Sequence, residues 1–99
     1  MLAYVDNNGG MIRVYNEKSE KISRMQDHDF QILGVASSFF VVRDKNYIRT
    51  FNEDCKQIGK MQVPNYEDAM VGGNTFTLNL GSKIVTFDDG CNAISKRFS

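Results

Sequence analysis

Tyr47-Ile-Arg-Thr-Phe-Asn-Glu-Asp-Cys-Lys-Gln-Ile-Gly-Lys-Met61 decides the fold, because the chain writes this stretch three times. Met11-Ile-Arg-Val-Tyr-Asn-Glu-Lys-Ser-Glu-Lys-Ile-Ser-Arg-Met25 is one further copy and Lys83-Ile-Val-Thr-Phe-Asp-Asp-Gly-Cys-Asn-Ala-Ile-Ser-Lys-Arg97 the other. Tyr15, Phe51 and Phe87 recur at a constant step of 36 residues, as do Ile12, Ile48 and Ile84, and Ile22, Ile58 and Ile94. A fixed period in this range marks a repeat architecture. All nine of these side chains are expected to be buried in equivalent surroundings.

Within the stretch, Tyr47 to Phe51 is rich in β-branched and aromatic residues and reads as a strand. Asn52-Glu-Asp-Cys is a tight turn, and Lys56 to Met61 is the returning strand. In the third copy Asp88-Asp-Gly is a hairpin signal, with Gly90 the residue expected at positive φ. Upstream of each copy lies another strand: Leu2 to Val5, Phe39 to Val42 and Thr75 to Leu80. The second and third repeats carry one more, Phe30 to Val35 and Ala69 to Val71. With the four strands named A to D, the order is BCD-ABCD-ABCD. The expectation is one all-β domain over 1–99, built of short antiparallel strands in repeats 1–25 (partial), 26–61 and 62–99. Phe39-Phe-Val-Val42 and Ile32-Leu-Gly-Val35 are continuous apolar runs, which implies sheets buried on both faces. Arg49, matched by Arg13, is expected to lay its stem between packed sheets and to reach a polar group with its guanidinium.

The balance of 12 Lys and Arg against 12 Asp and Glu gives no electrostatic reason for a nucleic-acid or membrane partner. Met1 to Gly10 has neither the cationic nor the apolar region of a secretory signal, so a cytoplasmic location is expected. Cys55 and Cys91 occupy the same position of successive repeats, too far apart for a bridge, and are expected to be free thiols in turns. With one His in the chain, no metal site and no cofactor are expected.

The phrase Val35-Ala-Ser-Ser-Phe-Phe-Val-Val-Arg-Asp-Lys-Asn-Tyr-Ile-Arg-Thr-Phe-Asn-Glu-Asp resembles a β-propeller blade: a short inner strand ends in small residues, a second strand follows at once, and a hairpin leads to an outer strand. The chain has no Trp, hence no WD signature, and the kelch pattern fails as well. Since closed propellers have about four to eight blades, the resemblance implies either blades that oligomerisation completes or a chain that is a fragment of a longer propeller. The alternative is a β-trefoil or another closed barrel of three repeats.

Asp27-His28-Asp29 is the one place where a titratable base lies between carboxylates, and flanking acids raise a histidine pKa. A hydrolase using His28 is the reading it would support; a polar connection between strands is the plainer one. Tyr47 and Tyr66 are the aromatic residues near loops that could stack on a sugar, and Glu67 and Asp68 stand beside Tyr66. No Ser, His and carboxylate arrangement, phosphate loop or complete calcium loop is present. The expectation is therefore a non-enzymatic interaction module that binds itself as a homodimer, with another protein or a glycan as the other possible partner class, the latter making it a small lectin-like protein.

Overall fold

The computed structural model describes residues 2–8, 10–26 and 30–98. Eleven strands form three separate antiparallel sheets. β1 (Leu2–Asn8), β2 (Met11–Asn16) and β3 (Lys21–Gln26) make the first sheet. β4 (Gln31–Val35), β5 (Phe39–Asp44), β6 (Tyr47–Asn52) and β7 (Gln57–Gln62) make the second. β8 (Asp68–Gly72), β9 (Thr75–Asn79), β10 (Lys83–Phe87) and β11 (Ala93–Phe98) make the third. Each sheet is a meander, and the strand order is the BCD-ABCD-ABCD that the period implies. Among the described residues no strand pairs outside its own repeat. A closed three-repeat barrel needs pairing between repeats, so the trefoil alternative is set aside.

The hairpin joining the third and fourth strand positions is built alike in every repeat. Asn16 Oδ1 accepts the N–H groups of Lys18 and Glu20, Asn52 Oδ1 those of Asp54 and Lys56, and Asp88 Oδ1 those of Gly90 and Asn92, all at 2.9–3.0 Å. A short side-chain acceptor thus closes the loop on its own backbone. The residue at positive φ is Ser19 (63°), Cys55 (61°) and Cys91 (64°) in turn. Gly90 is therefore not the left-handed residue of its turn; the position after it is. The Asn or Asp clamp fixes the loop path, and the left-handed step falls on the fourth residue whatever its side chain.

Stacking of the sheets explains the continuous apolar runs. Phe40 and Val42 of β5 meet Leu2, Val5, Ile12 and Val14 of the first sheet, while Phe39 and Val41 meet Phe76, Leu78, Val85 and Phe87 of the third. Each sheet thus has a front face toward the preceding sheet and a back face toward the following one. The inner strands come closest at Gly34, where a Cβ would lie 2.7 Å from Val71. Ser37 stitches the inner corners, accepting from Leu2 N at 3.1 Å and donating its own N–H to Gly73 O at 2.8 Å.

The outer strands depart from the expectation. Ile12 and Ile48 are fully buried and Phe51 and Phe87 nearly so, but Tyr15 and Ile84 are only half-buried, and Ile22, Ile58 and Ile94 are 36%, 38% and 57% exposed. The stack is staggered: the back of β3 touches the β6–β7 turn, through Ser23 Oγ donating to Glu53 O, and the back of β7 touches the β10–β11 turn, through Gly59 against Gly90. The front side of each outer strand, which carries these isoleucines, overhangs into solvent. Repetition kept the residue type without burying it.

Candidate interaction faces

Three cross-strand aromatic pairs mark the front faces. Tyr4–Tyr15, Phe40–Phe51 and Phe76–Phe87 are register partners, stacked at centroid distances of 5.0, 5.5 and 5.2 Å. The two phenylalanine pairs are covered by the preceding sheet. The first sheet has no described sheet in front of it, and there the pair is tyrosine, with Tyr4 52% exposed. The Tyr4 hydroxyl donates to Asp6 Oδ2 at 3.2 Å, and that bond to a carboxylate pushes the phenol pKa up. Asp6 stands where the other sheets carry Val42 and Leu78; its Oδ1 is buried and has no hydrogen-bond partner among the described residues.

The back face of the third sheet is the other open surface. A cleft of about 270 Å3 there is lined by Met70, Thr77, Ile84, Thr86, Ser95 and Arg97. The same positions in the earlier sheets are covered: Val5 and Val41 match Thr77, and Ile12 and Ile48 match Ile84. Thr77 and Thr86 exchange a hydroxyl hydrogen bond at 3.1 Å.

Thr50, fully buried, donates through Oγ1 to Asp89 O at 2.5 Å, and Ser23 Oγ lies 3.2 Å from Cys55 Sγ. These contacts join one sheet's back to the next sheet's turn. Cys55 and Cys91 are unbridged and half-buried. Burial is the main cause that raises both thiol pKa values, opposed by the hydrogen bonds from Ser23 and Thr50 respectively.

Of the residues singled out in the sequence, Asp27, His28 and Asp29 lie outside the described residues. Tyr47 and Tyr66 are half-buried, each with a cation on its ring: Lys60 Nζ is 4.4 Å from the Tyr47 centroid, and the Arg43 guanidinium carbon 4.8 Å from that of Tyr66. Those contacts compete with a sugar for the aromatic planes. Glu67 is held through its backbone, its N–H donating to Asn79 O at 2.7 Å. Asp68 accepts the N–H of Ala69 at 2.9 Å and lines a second cleft on the back of the third sheet, of about 160 Å3. Arg49 pairs with Asp44 at 3.0 Å and donates to Gln57 Oε1 at 3.0 Å, with its guanidinium 5.9 Å from the Phe30 ring. Among the described residues no group of three or more His, Cys, Asp or Glu side chains is placed to hold a metal ion.

The structure leaves two faces open, and of the described candidate residues Asp68 lines one of them. The signal for them was present in the repeat as departures from it: Tyr4 and Tyr15 for Phe, Asp6 for Val42 and Leu78, Arg97 for Met25 and Met61.

No family model and no curated protein matches the chain. Among solved structures, that of BamB from Moraxella catarrhalis, a β-propeller protein, superposes with a TM-score of 0.60 over 100% of this chain at 12% identity. The chain spans 32% of the length of that structure. The likeness shows the fold: three sheets stacked as propeller blades.

Proposed function

We propose that this chain is a non-enzymatic interaction module of propeller-type sheets that associates with copies of itself. The observation that carries the reading is the back of the third sheet, where Ile84 lines an open cleft although Ile12 and Ile48 at the same position are fully buried. An uncovered apolar sheet face needs a neighbour, and a second copy of the chain can supply one. Met70 and Phe98 are 69% and 78% exposed on this sheet. A binding role rather than catalysis is supported by how the polar side chains are used. Asn16, Asn52 and Asp88 close turns and Asp44 pairs with Arg49.

Light scattering over a wide concentration range tests the reading. A mass that is a multiple of the chain mass is expected; a stable single chain at high concentration overturns it.

A further inference from the structure

We infer that the front of the outer strands, β7 first among them, is a docking surface for an acidic peptide in extended form, which sets an apolar side chain on an isoleucine and a carboxylate on the neighbouring cation. It goes beyond the self-association proposed above and needs no second copy of the chain.

The first argument is that exposure of these isoleucines is built in. Each outer strand carries a β-bulge at the same place. Ile22 is the extra residue between the partners of Tyr15 and Val14, Ile58 between those of Phe51 and Thr50, and Ile94 between those of Phe87 and Thr86. A bulge re-aims a side chain. β7 and β11 each have a described sheet in front of them, yet Ile58 and Ile94 are 38% and 57% exposed, so the stagger of the stack leaves them outside. Nor can β7 move back to bury Ile58 among the sheets: a Cβ at Gly59 would already lie 2.6 Å from the Gly90 carbonyl behind it.

The second argument is charge. Two residues past each isoleucine, on the same face and roughly 7 Å along the strand, stands an exposed cation: Arg24, Lys60 and Lys96. Among the described residues Arg24 and Lys96 make no ion pair, and the Lys60 ammonium lies over the Tyr47 ring rather than beside a carboxylate. The residue between isoleucine and cation changes, Ser23, Gly59 and Ser95 in turn, while the two outward side chains keep their type. None of β3, β7 and β11 contains an Asp or Glu. The acids of these hairpins stand in the turns, as Glu53, Asp54 and Asp89 do. The chain's even charge balance therefore conceals an outer flank of one sign.

The third argument selects the occupant. An isoleucine beside a cation is complementary to an apolar side chain beside a carboxylate. Alternate residues of an extended peptide share a face at the same spacing, so a Val-x-Glu segment meets Ile58 and Lys60 together. A nucleic-acid backbone supplies the charge without the apolar group, and the Tyr47 plane on which a base would stack is taken by Lys60. One exposed charge pair contributes little. Three equivalent pairs, on β3, β7 and β11, let a partner with several such segments gain affinity by multivalency.

Titration of the isotope-labelled chain with a synthetic peptide, followed by amide NMR, tests the docking. The probe repeats Val-Thr-Glu-Thr, which puts Val and Glu on one face. A first control repeats Val-Glu-Thr-Thr, which puts them on opposite faces, and a second is a single-stranded oligonucleotide of equal charge. Saturable shifts are expected in residues 57–62, and at the equivalent 21–26 and 93–98, with the probe bound more tightly than either control. The triple variant Arg24→Glu, Lys60→Glu, Lys96→Glu should weaken binding about tenfold or more, and so should Ile22→Ser, Ile58→Ser, Ile94→Ser, which keeps the charges. Should a triple variant fail to fold, salt does the same work on the natural chain: at about 1 M, where the screening length is about 3 Å, binding should weaken by a similar factor. Shifts that map elsewhere, or binding of either control as tight as that of the probe, would overturn the inference. So would the absence of saturable shifts at millimolar probe, since the cations would then serve only to keep outer edges from pairing. A single-chain mass in light scattering would overturn the self-association and leave this inference standing.

Discussion

Ile48→Ala and Ile84→Ala make the sharpest test of the sheet stack, because one repeat position is placed in two environments. Ile48 is fully buried between the second and third sheets, packed in a cluster with Val41, Val85 and Phe87. Truncation removes three carbons from apolar surroundings, about 2.4 kcal/mol of transfer at about 0.8 kcal/mol per methylene. Both sheets are held by backbone ladders and the site cannot fully collapse, so the cavity brings the expected total to about 3–4 kcal/mol, inside the usual range of about 2–5. Ile84 lines an open cleft. Its truncation leaves no closed void, and about 1–2 kcal/mol is expected for the dilute chain.

Urea unfolding followed by circular dichroism reads both values, provided the m-value stays constant across the variants. At concentrations where copies associate, the cost of Ile84→Ala should climb toward that of Ile48→Ala, since binding only the folded form adds to its stability. Equal costs for the two variants in dilute solution, or a cost below about 1 kcal/mol for Ile48→Ala, would refute the reasoning from burial.

Asp88 gives a pH prediction. The N–H groups of Asn92 and Gly90 hold its carboxyl below the ordinary carboxylate range. A depressed folded pKa contributes stability that is present above the unfolded value of about 3.9 and is lost as pH falls through the folded one. Asp88→Asn should keep the turn, as Asn16 and Asn52 do, and should show a shallower loss of stability between neutral pH and about pH 3; identical acid profiles would count against the clamp. Gly59→Ala places a Cβ 2.6 Å from the Gly90 carbonyl and should lower stability by about 1–3 kcal/mol through overpacking. Gly72→Ala meets nothing within 4 Å and should be near neutral, so thermal unfolding that ranks the two the other way would contradict the close contact between β7 and the last turn.

How much of this was legible from the residues follows from what a period can and cannot encode. The step from Ile12 to Ile48 to Ile84 located the strands and their order, because strand, turn and strand are local choices that each repeat makes again. The hairpin clamp was half legible: Asn16, Asn52 and Asp88 are in the sequence, but Gly90 drew the positive φ that geometry assigns to Cys91. Burial was legible for the faces inside the stack and misread for Ile22, Ile58 and Ile94 and, on the two open faces, for Tyr15 and Ile84. A period reports equivalence of position, and equivalent positions on an overhanging outer strand are equally exposed. The open faces were the least legible part. Telling a front from a back requires knowing which alternate residues of β5 meet which neighbour, and that is decided by the stagger between sheets and not by any one strand. Once the faces are known, the departures from the repeat become the informative residues. Met70 replaces a glycine that the second sheet requires, Arg97 replaces a methionine, and Asp6 replaces an aliphatic core residue. Met70 adds bulk and no polarity to the same face that gains Thr77 and Arg97, so this face departs from its counterparts in shape and in hydrogen-bonding capacity at once.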